Sequence, residues 1–131
     1  MAIPSSTVKK RPKHLALWKI RLPVPGIVSI LHRVSGAGMF LVLIPVLLAT
    51  LEGSLASQES FEDLRFQFNS PLVKLVLLGL AWSFLHHFFA GIRYLFLDLH
   101  MGIDLPSTRF WSKAVLVVSG VLTLLVAVAL W

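Results

Sequence analysis

Three long apolar stretches dominate the chain and limit what it can fold into. They lie near residues 28–51, 72–97 and 111–131, and each is long enough to cross a hydrocarbon core that needs about 20 helical residues. A backbone inside lipid has to satisfy its own hydrogen bonds, so apolar spans of this length predict α-helices. Of the 131 residues, 56 % are hydrophobic and 14 % are charged, which leaves little sequence for a soluble domain. We therefore predict an all-α membrane protein with three transmembrane helices.

The charged side chains are distributed unevenly along the chain. Basic residues crowd the amino end before the first apolar stretch, whereas the segment between the first two stretches is acidic. By the positive-inside rule, this asymmetry predicts a cytoplasmic amino end, an external first loop, a cytoplasmic second loop and an external carboxyl end. Because the topology accounts for the net charge of +6, that charge gives little support to a nucleic-acid-binding function.

The same patterns divide the chain into an arm, three helices and two loops. We predict a cytoplasmic basic arm over residues 1–26, in which a short segment from His14 to Leu22 rests at the membrane surface. Its prolines prevent one continuous helix, and its basic residues suit anionic lipid and a soluble partner equally well. The other predicted segments are a first transmembrane helix over 27–51, a periplasmic loop over 52–70, a second transmembrane helix over 71–98, a cytoplasmic loop over 99–110 and a third transmembrane helix over 111–131.

Two local features modify this outline. Pro45 lies inside the first predicted helix and is expected to bend it, because proline lacks a backbone donor and its ring clashes with the preceding turn. In the first loop, Phe61, Leu64 and Phe68 follow helical spacing and predict a short surface helix.

Polar side chains share one face near the start of the first helix. Ser29, His32, Arg33 and Gly36 are spaced i, i+3, i+4 and i+7, so they line the same stripe. An arginine near a helix end can simply extend to the lipid headgroups, with the histidine beside it. A hydroxyl, an imidazole, a guanidinium and a glycine on one stripe instead favour a functional site.

A second ionisable cluster lies at the end of the second helix. At 1.5 Å per residue, His87 is about 24 Å from the start of that helix, in the same half of the membrane as the polar stripe of the first helix. Ionisable groups are expensive inside a bilayer, so such a cluster is by default a candidate functional site. Its members are His86, His87, Arg93, Tyr94 and Asp98.

Histidine is the strong metal ligand available in the spans, because the chain contains no cysteine. The lack of cysteine excludes disulfides, iron–sulfur ligation and thiolate ligation of haem. Gly91 lies one helical turn beyond His87 and leaves a side-chain-free surface for a flat macrocycle, which favours His87 over His86 as a haem-iron ligand. Imidazole also serves proton relays and structural hydrogen bonds, so these alternatives stay open on residue types alone.

A bound haem would need further partners from the same half of the membrane. Its two propionates require cationic or hydrogen-bonding groups, and the candidates at suitable depth are His32, Arg33, Arg93 and Tyr94. The chain offers no second well-placed axial ligand. A six-coordinate haem would therefore take its second histidine from another subunit.

Parts of the sequence resemble the cytochrome b556 membrane-anchor subunit of succinate dehydrogenase. They are Arg11-Pro12, the run Ser-Ile-Leu-His-Arg-Val-Ser-Gly from Ser29 to Gly36, and the element His-x-x-x-Gly-Ile-Arg that starts at His87, with Asp98 closing the segment. The resemblance also covers the length, the three spans and the orientation. The sequence departs from the family pattern at Tyr94, where histidine is frequent, and at Leu97, which is commonly aromatic or methionine.

The resemblance implies a role for each element. His87 would be an axial ligand of haem b, and a second small membrane-anchor subunit would give the other histidine, so that the haem lies between two chains of a heteromeric helix bundle. Ser29 and Arg33 would line the ubiquinone pocket, and His32 and Arg33 would lie near the haem propionates. Flavoprotein and iron–sulfur subunits would sit on the cytoplasmic face of the bacterial inner membrane, where succinate oxidation supplies electrons to the respiratory chain and the tricarboxylic acid cycle.

The implied chemistry agrees with the residue types at the first helix. Reduction of a quinone places negative charge on its oxygens before protons arrive, so a guanidinium and a hydroxyl aimed at one oxygen stabilise the developing anion. We therefore predict that Arg33 gives electrostatic stabilisation and that Ser29 donates a hydrogen bond. Two other classes remain as alternatives: a purely structural membrane anchor, and a small proton-coupled transporter, which three spans without inverted repeats match poorly.

Overall fold

Four helices account for most of the part of the chain that the computed structural model describes, residues 19–131. Most of the predicted basic arm lies outside the described residues. The helices are α1 (Val24–Ala56), α2 (Gln58–Phe68), α3 (Pro71–Asp98) and α4 (Leu105–Leu130). There is no strand within residues 19–131, and α1, α3 and α4 are each long and apolar enough to cross a membrane. The prediction of an all-α protein with three candidate spans is confirmed.

Helix α1 begins at Val24 rather than at the predicted Ile27, because prolines are tolerated in a first helical turn. Pro23 is the N-cap residue and Pro25 lies within the first two helical positions. The N–H groups of those positions have no partner inside a helix, so proline loses nothing there and its fixed φ favours the helical conformation.

The middle of α1 contains a wider turn just before Pro45. Residues Val24–Gly38 and Ile44–Ala56 are α-helical, and the intervening Met39–Leu43 form a π turn in which the N–H of Ile44 bonds the carbonyl of Met39. Pro45 lacks a backbone N–H, so it removes one hydrogen bond of the α-helix, and its ring crowds the preceding turn. A π turn is a single wider turn inside an α-helix, as at Met39–Leu43. The helix continues past Pro45 to Ala56, five residues beyond the predicted end.

Helix α2 is the predicted surface helix of the first loop, and it folds back against the end of α1. Ser57 caps it by accepting a hydrogen bond from the N–H of Ser60 at 3.0 Å, a common start signal. The hydroxyl of Ser60 donates to the carbonyl of Gly53 at 2.6 Å. Leu64 contacts the same glycine, since a Cβ added there would lie 2.9 Å from Leu64 Cδ1.

The three long helices pack with α3 in the centre, flanked by α1 and α4, and α1 also contacts α4. Their shared interior is narrow. The residues buried there are Val28, Ser35, His86, Ala90, Arg93, Ser112, Val115 and Ser119. Most large apolar side chains point outward instead, as at Phe40, which is 70 % exposed. Such surfaces suit contact with lipid or another membrane subunit, because exposing so large an apolar area to water is unfavourable.

A tight connection joins α3 to α4. His100 and Gly102 have positive φ values of 60° and 67°, and the N–H of Met101 bonds the carbonyl of Phe96 at 3.0 Å. Asp104 then caps α4 by accepting a hydrogen bond from the N–H of Ser107 at 2.9 Å, which holds the pKa of that carboxyl below its ordinary value. Because of this cap, α4 begins at Leu105, six residues before the predicted Trp111.

The opposite ends of the same two helices are joined by Lys74. Its ammonium donates to the carbonyl of Leu130 at 2.6 Å and lies 5.3 Å from the centre of the Trp131 ring. A cation at a helix C-terminus satisfies carbonyls that have no partner within the helix. This contact holds the start of α3 to the end of α4.

Candidate cofactor site between α1 and α3

His87 is held by the backbone of the neighbouring helix. Its Nδ1 lies 3.0 Å from the carbonyl oxygen of His32 on α1. Because a carbonyl only accepts, this contact assigns the proton to Nδ1 and leaves the lone pair of Nε2 free. The two imidazole rings also stack, with centroids 4.1 Å apart and planes 16° from parallel.

Ser35 and Gly36 complete the surface against which the His87 ring rests. The hydroxyl of Ser35 donates to the carbonyl of His32 at 3.0 Å, and its oxygen lies 3.3 Å from Nδ1 of His87. Gly36 provides the space, since a Cβ added there would lie 2.8 Å from Cε1 of His87. We call His32, Ser35, Gly36 and His87 the His87 group.

The His87 group fits a haem iron better than a metal ion held by protein ligands alone. No cluster of three or more His, Cys, Asp or Glu side chains within residues 19–131 could hold a metal ion. A single imidazole whose other nitrogen donates to a backbone carbonyl is the usual arrangement of a metal-binding histidine, because that bond fixes the tautomer and the ring orientation. His87 meets this condition, and axial ligation of haem needs only one such ring from each side.

Two of the other predicted site residues follow His87 along α3. Tyr94 lies near the His87 group, with its ring centroid 5.1 Å from that of His32. Arg93 lies on the neighbouring stripe, where it is 8 % exposed and lines a cavity between α3 and α4. Its guanidinium carbon is 5.2 Å from the centre of the Tyr94 ring. Tyr94 thus borders the His87 group directly, whereas Arg93 contacts the Tyr94 ring and also lines the cavity between α3 and α4.

Ser29 and Arg33 lie one turn apart on α1, at the edge of the bundle. Ser29 is half-buried and Arg33 is exposed. Among the contacts of residues 19–131, no hydrogen bond joins either side chain to the His87 group. The sequence-predicted stripe is therefore divided: His32 and Gly36 face α3, whereas the Arg33 guanidinium remains available to a molecule outside the bundle.

His86 is enclosed, although it is adjacent to His87 in sequence. It is 0 % exposed, and it stacks on Trp82 with ring centroids 5.2 Å apart. Neither of its ring nitrogens has a hydrogen-bond partner among the described residues. An outside group cannot reach His86 without opening the interior, so the geometry favours His87 as the ligand.

The contribution of Ser35 was not predicted from the sequence, although Ser35 belongs to the motif from Ser29 to Gly36. A signal was present, because Ser35 lies seven residues after Val28 and so continues one face of the helix. Only the structure identifies that face as the one that meets α3.

Replacing Gly36 with alanine tests the close approach of α1 to His87. The added methyl group would force the ring away from the His32 carbonyl, and overpacking of this kind costs about 1–3 kcal/mol. We expect a lower thermal midpoint for the purified full-length chain in detergent. Gly38→Ala is the matched control, because nothing lies within 4 Å of a Cβ at that position. Equal effects of the two substitutions would contradict the proposed contact.

Comparison with known proteins identifies similar membrane subunits. Residues 7–126 match the model of a family described as succinate dehydrogenase/fumarate reductase transmembrane subunit. A succinate dehydrogenase cytochrome b556 subunit from Coxiella burnetii is 37 % identical over 123 residues, covering 93 % of this chain and 98 % of that protein. The subunit of the same name from Paracoccus denitrificans is 31 % identical over 121 residues, covering 88 % and 91 %. One from Rickettsia felis is 30 % identical over 118 residues, covering 88 % and 90 %.

Proposed function

Because the chain belongs to the succinate dehydrogenase/fumarate reductase transmembrane subunit family, we propose that it anchors succinate dehydrogenase in the bacterial inner membrane, helps to bind haem b and forms part of the ubiquinone-reduction site. The observation that carries this proposal is the His87 group, in which one imidazole is oriented by a backbone carbonyl and packed on a glycine. Succinate oxidation itself would take place on partner subunits, with the electrons then passed to the quinone.

His87 would hold the haem iron through Nε2. When bound, haem b would supply a one-electron redox centre. The His32 carbonyl keeps the proton on Nδ1, and Gly36 lets the ring lie close to α1. His32, Arg33 and Tyr94 are proposed as partners of the propionates. Arg93 is not included in this set, because it lines the cavity between α3 and α4.

Ser29 and Arg33 would act on the quinone. A quinone that accepts two electrons and two protons becomes a quinol, and negative charge develops on its oxygens before the protons arrive. The Arg33 guanidinium would stabilise that charge, and the Ser29 hydroxyl would donate a hydrogen bond to the same oxygen. The exposure of Arg33 at the edge of the bundle supports this assignment, since a substrate or partner subunit can approach it there.

Partner chains would complete both sites. A second small membrane-anchor subunit would supply the other axial histidine, and the iron–sulfur and flavoprotein subunits would dock on the cytoplasmic side. The outward-facing apolar side chains of α1, such as Phe40 and Leu41, offer a surface for the second anchor. Such a surface is compatible with helix packing inside a bilayer.

Ser29→Ala tests the quinone assignment without removing a charge. We expect succinate-driven ubiquinone reduction by the assembled complex to fall roughly tenfold, because a hydrogen bond to a charged oxygen is worth about 1.5–3 kcal/mol. Succinate oxidation by an artificial acceptor should be unchanged, since that acceptor takes electrons before they reach the membrane.

Ser54→Ala is the matched control for this variant, because Ser54 lies near the other end of α1 and, among the described residues, its hydroxyl bonds only the carbonyl of Leu51. Both activities should persist in that variant. If Ser29→Ala lowers both activities equally, or lowers only the amount of assembled complex, α1 acts as a structural anchor and the quinone assignment is wrong.

A further inference from the structure

A cavity of about 330 Å³ lies between α3 and α4, outside the His87 group. Most of its wall is apolar and includes Phe89, Ile92, Val115 and Val118. Its volume falls in the range of small-molecule sites, which are typically about 300–1,000 Å³ and mostly apolar with a few polar groups. Among the residues that line this cavity, Arg93 is the charged one.

The guanidinium of Arg93 has a buried donor without an acceptor among the described residues. Arg93 is only 8 % exposed, and its Nε has no hydrogen-bond partner among the described residues. The Tyr94 ring lies near its guanidinium carbon, but a ring face does not replace an oxygen acceptor for five N–H donors. A buried charged donor without an acceptor is costly, so the site favours an anionic oxygen.

The position of Arg93 along α3 indicates where that oxygen would come from. Arg93 lies five residues before the last residue of α3, which is about 7.5 Å at 1.5 Å per residue. The cavity wall continues past it to Met101 and Gly102 in the loop between α3 and α4. In the other direction it continues to Phe89 and Val118. One end of the cavity is therefore near the ends of the helices, where lipid headgroups lie, and the other is deeper among the spans.

We propose that this cavity holds one acyl chain of an anionic phospholipid, with the lipid phosphate accepting hydrogen bonds from Arg93. An apolar wall suits the chain, and the guanidinium matches phosphate in charge and in the geometry of its donors. The headgroup end and the chain end of the cavity follow the order in which a phospholipid lies in a bilayer. This proposal does not depend on haem binding, because the His87 group does not line the cavity.

The test uses the complex purified with its partner subunits and stripped of lipid by detergent. Dioleoyl phosphatidylglycerol and dioleoyl phosphatidylcholine are titrated into separate samples of this complex, and the bound lipid molecules are counted by native mass spectrometry. We expect the parent complex to retain one more tightly bound phosphatidylglycerol molecule than the Arg93→Met complex. The affinity of the variant for phosphatidylglycerol at this site should fall about tenfold or more, as expected when a charged hydrogen bond is lost. Phosphatidylcholine should not replace it.

Two further variants separate the cavity from the surface. Ala114→Phe keeps Arg93 but places a ring in the cavity, which Ala114 lines, and it should also lose the bound lipid. Arg109→Gln removes an exposed cation from α4 and should behave as the parent. If Arg93→Met does not assemble, Ala114→Phe still tests the site.

Other outcomes would overturn the proposal. Equal lipid counts in the parent and in Ala114→Phe would mean that a partner chain or nothing fills the cavity. Loss of the lipid in Arg109→Gln would point to a basic surface patch instead. Equal retention of phosphatidylcholine would show that charge does not select the occupant.

Discussion

Replacing His87 with alanine is expected to remove or alter the b-type absorption signal of the purified complex in reduced-minus-oxidised spectra. Alanine removes Nε2, the proposed axial ligand, and it also removes the ring whose Nδ1 bonds the His32 carbonyl at 3.0 Å. Haem held by one remaining histidine from a partner subunit would change its ligation and its spectrum, because the axial ligand sets the electronic properties of the iron. The measurement is the spectrum per assembled complex, with subunit content checked on the same sample.

His86→Leu is the control for this prediction. His86 is 0 % exposed and both of its ring nitrogens lack partners within residues 19–131, so an apolar side chain of similar size should cost little or even stabilise the bundle. We expect the b-type signal to persist. A signal that survives His87→Ala and disappears in His86→Leu would reverse the assignment, and a signal that survives both would move the ligand to another chain.

Replacing Arg33 with leucine is expected to lower succinate-driven ubiquinone reduction about 100-fold. Removal of one group that stabilises a developing oxyanion typically costs 10²–10³ in rate, so the estimate is at the lower end of that range. Succinate oxidation by an artificial acceptor should stay close to that of the parent. Arg33→Lys should recover part of the loss, because it restores the charge but not the planar set of donors.

Arg109→Leu is the matched control for Arg33→Leu, since it removes an exposed cation from α4 instead of α1. It should leave both activities near parental values. Equal loss of the two activities in Arg33→Leu would show that the residue supports assembly, and the quinone assignment would then fail for Arg33.

The spans could be predicted because the length of an apolar run is set by the bilayer and needs no tertiary information. Their ends could not be predicted as well, because local capping decides them. Pro23 and Pro25 predict a boundary after Gly26, whereas their places at the N-cap and in the first turn make them compatible with an earlier start of α1. Similarly, the Asp104 cap adds six residues to the start of α4.

The candidate site was predicted in part. A helical period identifies which residues share a face, as for Ser29, His32, Arg33 and Gly36, but it does not state which neighbouring helix covers that face. The structure covers His32 and Gly36 with α3 and leaves Arg33 exposed. Arg93 shows the same limit, because its position along α3 can be counted from the sequence, whereas its place in the wall of the cavity between α3 and α4 cannot.

The π turn at Met39–Leu43 sets the rotational phase between the two halves of α1. An α-helix rotates about 100° per residue, and a π turn encloses one residue more than an α turn. Without that additional residue, the amino-terminal half of α1 would be rotated by about that angle relative to its carboxyl-terminal half. The turn therefore works as an angular spacer, which lets one continuous helix direct Ser35 and Gly36 toward α3 while Gly53 faces α2.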